Sequence, residues 1–309
     1  MRIVHKIHTS ISKYLSDGTF SRLQAISPES ITTLWDGRKR FGGDFEAGSS
    51  RLLAIQSVLE DSGLHAAPLN EGSTPGKTYS VFPRKVYDLS DLDDCPAVAI
   101  RSGRETEGAF DCIQEEGESP VEMPYEMIEG GGDESHLEEP ISASMVLAGP
   151  YMKRLLVTDP VKRAIEAGNF ADAGFNDVLP FFQKGKKRNH YDWSSFDDIR
   201  WWELASDRRM PPLSTSMHIF ARLKKTGPLD RVPPGRDGFW SVEDPEGIPP
   251  AEFHYARSDF ESMGDFDLAE TAEGGGHRRH RMLICSVRFY RHLLDHGFEP
   301  GFVPVRLDG

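Results

Sequence analysis

Cysteine is scarce in this 309-residue chain, and the few that occur are widely spaced. The three cysteines, Cys95, Cys112 and Cys285, form no CxxC pair, so we predict neither a zinc knuckle nor a disulfide framework. Free thiols are typical of a reducing compartment. The N-terminus lacks the apolar block of a secretory signal, and the longest mostly apolar stretch, 141–152, is too short to cross a bilayer. We therefore expect a cytoplasmic protein that does not bind membranes.

The sequence also lacks the short motifs that mark common enzyme chemistry. It contains no GxGxxG or Walker loop for a nucleotide, and no GxSxG elbow for a nucleophilic serine. Carboxylates are so numerous that no single pair of them indicates an acid–base site. We expect no cofactor, and we expect the protein to act by binding more than by catalysis.

Positive charge is absent from one long segment. The net charge is −13, and residues 105–139 contain thirteen Asp or Glu and no Lys or Arg, so all of the excess negative charge lies there. Such a segment is either a solvated insertion, because it has few apolar residues to bury, or else a mimic of nucleic acid or a docking surface for a basic partner. The candidate partner-binding residues are Glu115, Glu116, Glu118, Asp133, Glu134, Glu138 and Glu139.

Local signals predict several elements early in the chain. Residues 27–29, Ser-Pro-Glu, are typical of a helix start and would place Ile31 and Trp35 on one helical face. A second helix is predicted over 50–62, where apolar residues recur at helical spacing, and a strand over 79–87.

The strongest internal pattern occurs twice, over residues 154–178 and 281–305. Each copy has a short apolar strand, a capped helix that ends at a glycine, and a returning strand. Alignment of the two copies pairs Thr158 with Cys285 and puts a one-residue insertion in the second helix. The pattern predicts an α/β (or α+β) fold with two related halves, each with a mixed sheet closed by a strand–helix–strand unit.

Two domains are expected from this repetition. The first is an N-terminal α/β half over 1–183 that carries the acidic insertion at 105–139, and the second is a C-terminal α/β half over 184–309. The basic run at 184–188 is the predicted linker between them.

Several segments of the C-terminal half resemble known sequences. They are 201–207, 211–214, 253–255, 265–269, 286–290 and 303–306. Together they resemble a group of uncharacterised proteins of planctomycetes and related bacteria. The closing strand–helix–strand unit is also similar to the C-terminal unit of the double-CXXCG motif family of myxobacteria, without its paired cysteines, and to immunity proteins of polymorphic toxin systems. The resemblance implies a binding protein that neutralises a toxin, and it implies no catalytic residues.

One histidine pair has the spacing of metal ligands. His292 and His296 are four residues apart, so a helix would place both on one face, where they could bind Zn²⁺. With Asp295 between them the run is similar to an inverted HxxEH motif. The alternative is a solvated helix face with two incidental histidines, because the neighbouring leucines already supply the buried side.

Two basic regions and one thiol are weaker candidates. The run at 184–188, followed by Tyr191, Trp193, Trp201 and Trp202, mixes basic and aromatic residues as proteins that bind single-stranded nucleic acid do. His277 and His280 lie in an arginine-rich run after three glycines and could bind a phosphate or a nucleic acid; the alternative is an exposed basic loop. Cys285 would lie at a helix start, where the dipole lowers a thiol pKa, although its alignment with Thr158 favours a capping role.

The leading hypothesis from sequence is therefore an immunity-like or accessory protein that binds a basic partner such as a toxin. Two other functions stay open: an enzyme of unrecognised type, metal-dependent through His292 and His296, and a nucleic-acid-binding module. The acidic charge argues against the last of these. The sequence leaves the oligomeric state open.

Overall fold

The computed structural model describes two compact units. It covers residues 1–8, 15–33, 39–67, 78–101, 121–124, 145–148, 154–184, 187–190, 200–221, 229–235, 239–274, 281–298 and 300–309. The first unit comprises 1–88 with 248–250, and the second comprises 89–247 with 251–309. Helices and several mixed sheets make up the structure, which confirms the predicted α/β (or α+β) class.

The first unit is a five-stranded sheet with two helices. Its elements are β1 Arg2–His8, α1 Asp17–Ile26, β2 Ile31–Thr33, β3 Lys39–Glu46, α2 Ser50–Asp61, β4 His65–Ala67 and β5 Thr78–Val86. The strand order is β2-β3-β1-β5-β4. Ser16 and Ser49 cap the two helices by accepting a hydrogen bond from a backbone N–H. Apolar residues of both helices pack with strand residues such as Ile7 and Phe41 in one core.

The prediction of a helix that starts at residues 27–29 is wrong. Ser27 is the C-terminal cap of α1, Pro28–Ser30 is a single 3₁₀ turn, and Ile31 already belongs to β2. The Ser-Pro-Glu signal is real but supports only this turn, because the next residues pair with β3. The second predicted helix and the predicted strand are confirmed as α2 and β5.

The described residues of the second unit form three sheets. Its elements are a 3₁₀ helix Leu89–Asp94, β6 Ala97–Arg101, β7 Val121–Pro124, β8 Met145–Ala148, β9 Arg154–Thr158, α3 Asp159–Ala167, β10 Gly174–Lys184, β11 Lys187–His190, β12 Trp201–Ala205, β13 His218–Ala221, β14 Asp230–Val232, β15 Phe239–Glu243, β16 Phe253–Ala256, α4 Arg257–Ser262, β17 Leu268–Glu270, β18 Leu283–Ser286, α5 Val287–Asp295 and β19 Gly301–Asp308. The strand orders are β11-β10-β12-β9-β8 with β7 on β10, β14-β13-β15, and β16-β19-β6-β18-β17.

Both predicted strand–helix–strand units are present, and both are built in the same way. In the first, β9-α3-β10, the strand β12 lies between β9 and β10 and is antiparallel to each. In the second, β18-α5-β19, the strand β6 takes that central place and is again antiparallel to both neighbours. The two strands of each unit are therefore parallel to each other but are not adjacent.

The correspondence extends to the outer strands. β8 pairs antiparallel with β9, and β17 does the same with β18. β7 pairs parallel with β10 from Val178 onward, and β16 pairs parallel with β19 from Val305 onward. We call β7, β8, β9, α3, β10 and β12 the first repeat, and β16, β17, β18, α5, β19 and β6 the second repeat. The central strand of the second repeat thus comes from a point in the chain before the first repeat begins.

The strand register corrects the alignment of the two copies by one residue. Thr158 and Ser286 are the N-terminal caps of α3 and α5, so Ser286, and not Cys285, is equivalent to Thr158. Asn169 and Gly297, one residue beyond the C-terminal caps, both adopt positive φ. The helices have equal length, and the length difference falls in the loop that follows each helix.

The two repeats share one hydrophobic core. α3 packs on β9 and β12, α5 packs on β18 and β6, and the two helices pack on each other. Buried residues from both repeats form a single cluster: Val98, Ile100, Leu155, Val157, Val161, Ile165, Leu204, Leu283, Cys285, Phe289, Tyr290 and Leu293. One face of each sheet is covered in this way by the helix of its own repeat.

The predicted boundary at 183/184 lies within the second unit. β10 runs through it to Lys184, which pairs with Lys187 of β11, so described residues of the predicted linker belong to two paired strands. The division into two related halves, 1–183 and 184–309, stays a prediction.

Candidate functional site

The contact between α3 and α5 joins equivalent positions of the two repeats. His292 of α5 donates its Nε2 hydrogen to the backbone oxygen of Ala164 in α3, at 2.7 Å. Counted from the two caps, Ala164 and His292 occupy the same position in their helices. The two helices therefore contact each other through equivalent positions, as the two subunits of a symmetric dimer do at the two-fold axis. Only α5 has a polar side chain at this position.

A shallow groove of about 480 Å³ lies beside this contact. It is lined by Gly168, Phe170, Val287, Arg288, Arg291, His292 and Asp295. The ring of Phe170 packs on Phe289 with centroids 4.7 Å apart and on His292 at 4.9 Å. This placement depends on Gly168, because a Cβ atom there would overlap the Phe170 ring.

Two arginines of the groove are neutralised by carboxylates. Arg288 lies over the Phe170 ring, with its guanidinium carbon 4.7 Å from the centroid, and forms a two-point ion pair with Asp267. Arg291 forms an ion pair with Asp93. The groove therefore combines aromatic surface with cations whose charge is largely balanced.

Asp267 ties the two repeats together at the edge of this groove. Its side chain is only 8% exposed. It accepts hydrogen bonds from the backbone N–H of Ala171, which follows α3, and from the hydroxyl of Ser286, the cap of α5. Through these hydrogen bonds and its ion pair with Arg288, Asp267 fixes the start of α5 against the first repeat.

Both candidate metal-binding histidines are held by backbone oxygens. His296, the C-terminal cap of α5, donates its Nδ1 hydrogen to the backbone oxygen of His292 at 2.8 Å. The two imidazole rings lie 4.2 Å apart between centroids. His296 is exposed and His292 is half-buried. The alternative to a metal site, a solvated helix face with two incidental histidines, therefore describes the position of His296 but not that of His292. Among the residues that the structure describes, no group of three or more His, Cys, Asp or Glu could hold a metal ion.

A second polar cluster was not anticipated as a unit. Nδ1 of His254 on β16 lies 2.8 Å from a carboxylate oxygen of Asp308 on β19, and the hydroxyl of Ser216 donates to the other oxygen. Burial would raise the pKa of the Asp308 carboxyl, but hydrogen bonds from Ser214, Ser216 and His254 lower that pKa below its ordinary value. The serine hydroxyls bond the carboxylate instead of the imidazole, so this is not the arrangement of a nucleophilic triad.

The sequence gives no spacing signal for this cluster, because Ser214, His254 and Asp308 are far apart in the chain. Backbone pairing contributes to the contact: Ser214 donates its backbone N–H to the backbone oxygen of His254. A side chain makes a comparable contact elsewhere in the second unit, where the Ser206 hydroxyl donates to the backbone oxygen of Leu268.

Cys285 is not the reactive thiol that a helix start would produce. It lies in β18, one residue before the cap, and is fully buried. Burial, reinforced by the charge of Asp267, raises the pKa of this thiol well above its ordinary value. Burial also raises the pKa of Cys95, whose thiol donates to the backbone oxygen of Asp91. Both thiols are inert core residues.

The two described tryptophans of the basic and aromatic region are occupied within the chain. Trp201 is buried. Trp202 has cations over its ring, with Nζ of Lys162 at 3.3 Å and the guanidinium carbon of Arg200 at 3.8 Å, and it donates its indole N–H to Asp159 at 2.6 Å. A base could stack on Trp202 only by displacing these side chains.

The remaining candidates fall outside the described residues. These are the acidic partner-binding candidates Glu115, Glu116, Glu118, Asp133, Glu134, Glu138 and Glu139, the histidines His277 and His280, and the aromatic residues Tyr191 and Trp193.

Comparison with known proteins returned no match to a protein family, a curated protein or a solved structure. Of the helices in the described ranges, none is long and apolar enough to cross a membrane.

Proposed function

We propose that this chain is a cytoplasmic, immunity-like or accessory binding protein that recognises a basic partner, such as a toxin, through a protein–protein surface. The observation that carries the proposal is the segregation of charge: the whole net charge of −13 lies in residues 105–139. A surface of one sign attracts a partner of the other sign, speeds their encounter, and does so less as salt concentration rises.

The position of this segment in the fold supports the proposal. The acidic residues flank β7, between β6 and β8, and these three strands belong to the sheets of the two repeats. In the second repeat the connection equivalent to 125–144 is the shorter segment 257–267, which contains α4. The acidic residues are thus additions to a framework that the other repeat builds without them, as expected of residues that serve binding more than folding.

The chemistry of the described clusters is consistent with this proposal. Cys95 and Cys285 are buried, and Asp308 and His254 bond each other and two serines. These groups stabilise the second unit through internal contacts, which is the role of a scaffold that presents a binding surface.

The test is capture of a partner from the native host at low and at high salt. The binding variant replaces the seven candidate carboxylates by the matching amides, which changes the net charge from −13 to −6. A control variant carries the same loss of charge at exposed acids elsewhere: Glu46, Asp88, Asp94, Asp207, Asp230, Glu246 and Asp265.

We expect a basic protein that is retained at low salt by the wild type and by the control variant, released at high salt, and lost by the binding variant. Equal retention by the binding and control variants would show that net charge alone, and not residues 105–139, attracts the partner. Absence of any enriched protein at both salt concentrations would contradict the proposal.

A further inference from the structure

We propose that His292 and His296 together bind one divalent transition-metal ion of the kind that prefers imidazole ligands, namely Ni²⁺, Cu²⁺ or Zn²⁺. This inference concerns metal binding at the end of α5 and is independent of the acidic surface.

The first argument is the protonation of the two rings. A backbone carbonyl only accepts hydrogen bonds, so the nitrogens that contact carbonyls, Nε2 of His292 and Nδ1 of His296, carry the hydrogens. The lone pairs are therefore on Nδ1 of His292 and Nε2 of His296. Histidines that ligate metals usually donate their other ring hydrogen to a carbonyl or carboxylate, which fixes the tautomer and the ring orientation. Both histidines here already have that second contact.

The second argument is proximity. The ring centroids are 4.2 Å apart and the rings are tilted by 43°, so the two imidazoles are neighbours before any ion arrives. His292 is further restrained by the Phe170 ring, which meets it edge-on. An ion that binds both rings would have little side-chain entropy left to remove.

The third argument is electrostatic. His296 caps the C-terminus of the nine-residue helix α5, where the backbone carbonyls present the negative end of the helix dipole. Asp295 adds a carboxylate to the lining of the adjacent groove. The arginines that would oppose a cation, Arg288 and Arg291, are each paired with a carboxylate.

The coordination is incomplete in protein ligands. No third His, Cys, Asp or Glu of the described residues joins the pair in one group, so water would fill the remaining positions. We expect weaker binding than at a structural zinc site with four protein ligands.

The test is calorimetric titration of the full chain, without a histidine tag, with NiCl₂ and ZnCl₂, and with MgCl₂ as the oxygen-preferring control. His296→Ala removes one ligand from an exposed position, and His292→Gln removes the other while retaining an N–H donor for Ala164. His65→Ala, at an exposed histidine of the first unit, is the matched control.

We expect one equivalent of Ni²⁺ or Zn²⁺ to bind the wild type and His65→Ala. Both site variants should bind the ion at least about tenfold more weakly, because loss of a hydrogen-bond partner of a metal ligand already lowers metal affinity by about that factor. Thermal unfolding should shift upward with Ni²⁺ in the wild type and not in His296→Ala. Failure of the wild type to bind, or equal binding by His296→Ala, would overturn the proposal. Loss of binding in a His277→Ala/His280→Ala variant instead would overturn it as well, because the ion would then lie on the other histidine pair.

Discussion

The shared core makes a sharp prediction about two equivalent residues, Ile165 and Leu293. They occupy the same position in α3 and α5, are at most 1% exposed, and belong to one hydrophobic cluster. Replacing a buried Leu or Ile by Ala costs about 2–5 kcal/mol, from lost burial and from the cavity left behind. We expect Ile165→Ala and Leu293→Ala each to cost about 3 kcal/mol. Arg163→Ala, on the exposed side of α3, should cost less than about 0.5 kcal/mol.

The assay is urea unfolding followed by tryptophan fluorescence, which reports on the second unit through Trp201 and Trp202 of β12. With a slope of about 3 kcal/mol per molar urea, each variant should lower the midpoint by about 1 M. Because both residues lie in one core, both variants should shift the same transition. If instead each variant shifted a different transition, the repeats would fold independently and the reasoning would fail. A cost below about 1 kcal/mol for either variant would also refute it.

Three further predictions concern the polar and thiol groups of the second unit. Asp308→Asn should destabilise the protein at neutral pH. Because the pKa of Asp308 is lowered in the folded state, its ionised carboxylate stabilises the fold above about pH 3.9, and this stabilisation is lost as the pH falls through the folded-state pKa. The unfolding curves of the variant and the wild type should therefore converge in acid. In a Cys112→Ser variant, the two remaining thiols, Cys95 and Cys285, should react with a thiol reagent only as fast as the protein unfolds, because both are buried and their pKa values are raised. Fast reaction of either thiol in native buffer would contradict this. Asp159→Asn should weaken the hydrogen bond to the Trp202 indole and so change the emission wavelength of the native protein, whereas Asp207→Asn, at an exposed acid, should leave the spectrum unchanged.

Local elements could be predicted from the sequence where the signal is contained in a few residues. α3, α5 and the strands on either side of each have caps, apolar positions and closing turns close together in the chain. The helix predicted after residue 27 failed because pairing of Ile31 with Phe41 of β3 outweighs a local helix signal.

The pairing of strands could not be predicted in the same way. The central strand of the second repeat is β6, which precedes the rest of that repeat by more than a hundred residues in sequence. Nothing in the four-residue apolar run of β6, Ala97–Ile100, identifies its neighbours, because such a run could pair in any sheet with a buried face. The one-residue error in the alignment has a related cause. Matching apolar residues by type paired Thr158 with Cys285, whereas the structure equates the residues that cap the helices, Thr158 and Ser286.

The candidate metal site shows where prediction from spacing ends. Spacing alone predicted His292 and His296 on one helical face; in the structure His292 lies in α5, and His296 is the cap that follows its last helical residue, with the two rings 4.2 Å apart. A ring nitrogen keeps a lone pair for a metal only if the other nitrogen has an acceptor for its hydrogen. For His292 that acceptor is the backbone oxygen of Ala164, in the other repeat. Sequence gives no access to that contact, because it exists only when the two helices pack together.

Equivalent positions of the two repeats that have the same structural role are explained by the fold that the repeats share. Positions that differ are where residues beyond those the fold needs can be sought. Ala164 faces His292 across the helix contact, and the sequence that connects β7 to β8 is longer and more acidic than the sequence that connects β16 to β17. On the strands, Glu203 accepts a hydrogen bond from Asn176 at the register positions that Ala99 and Val303 occupy in the second repeat. A scaffold that folds with the simpler residues in one copy does not require the polar ones in the other. The two proposals use carboxylates and histidines of this kind, which one repeat has and the other lacks.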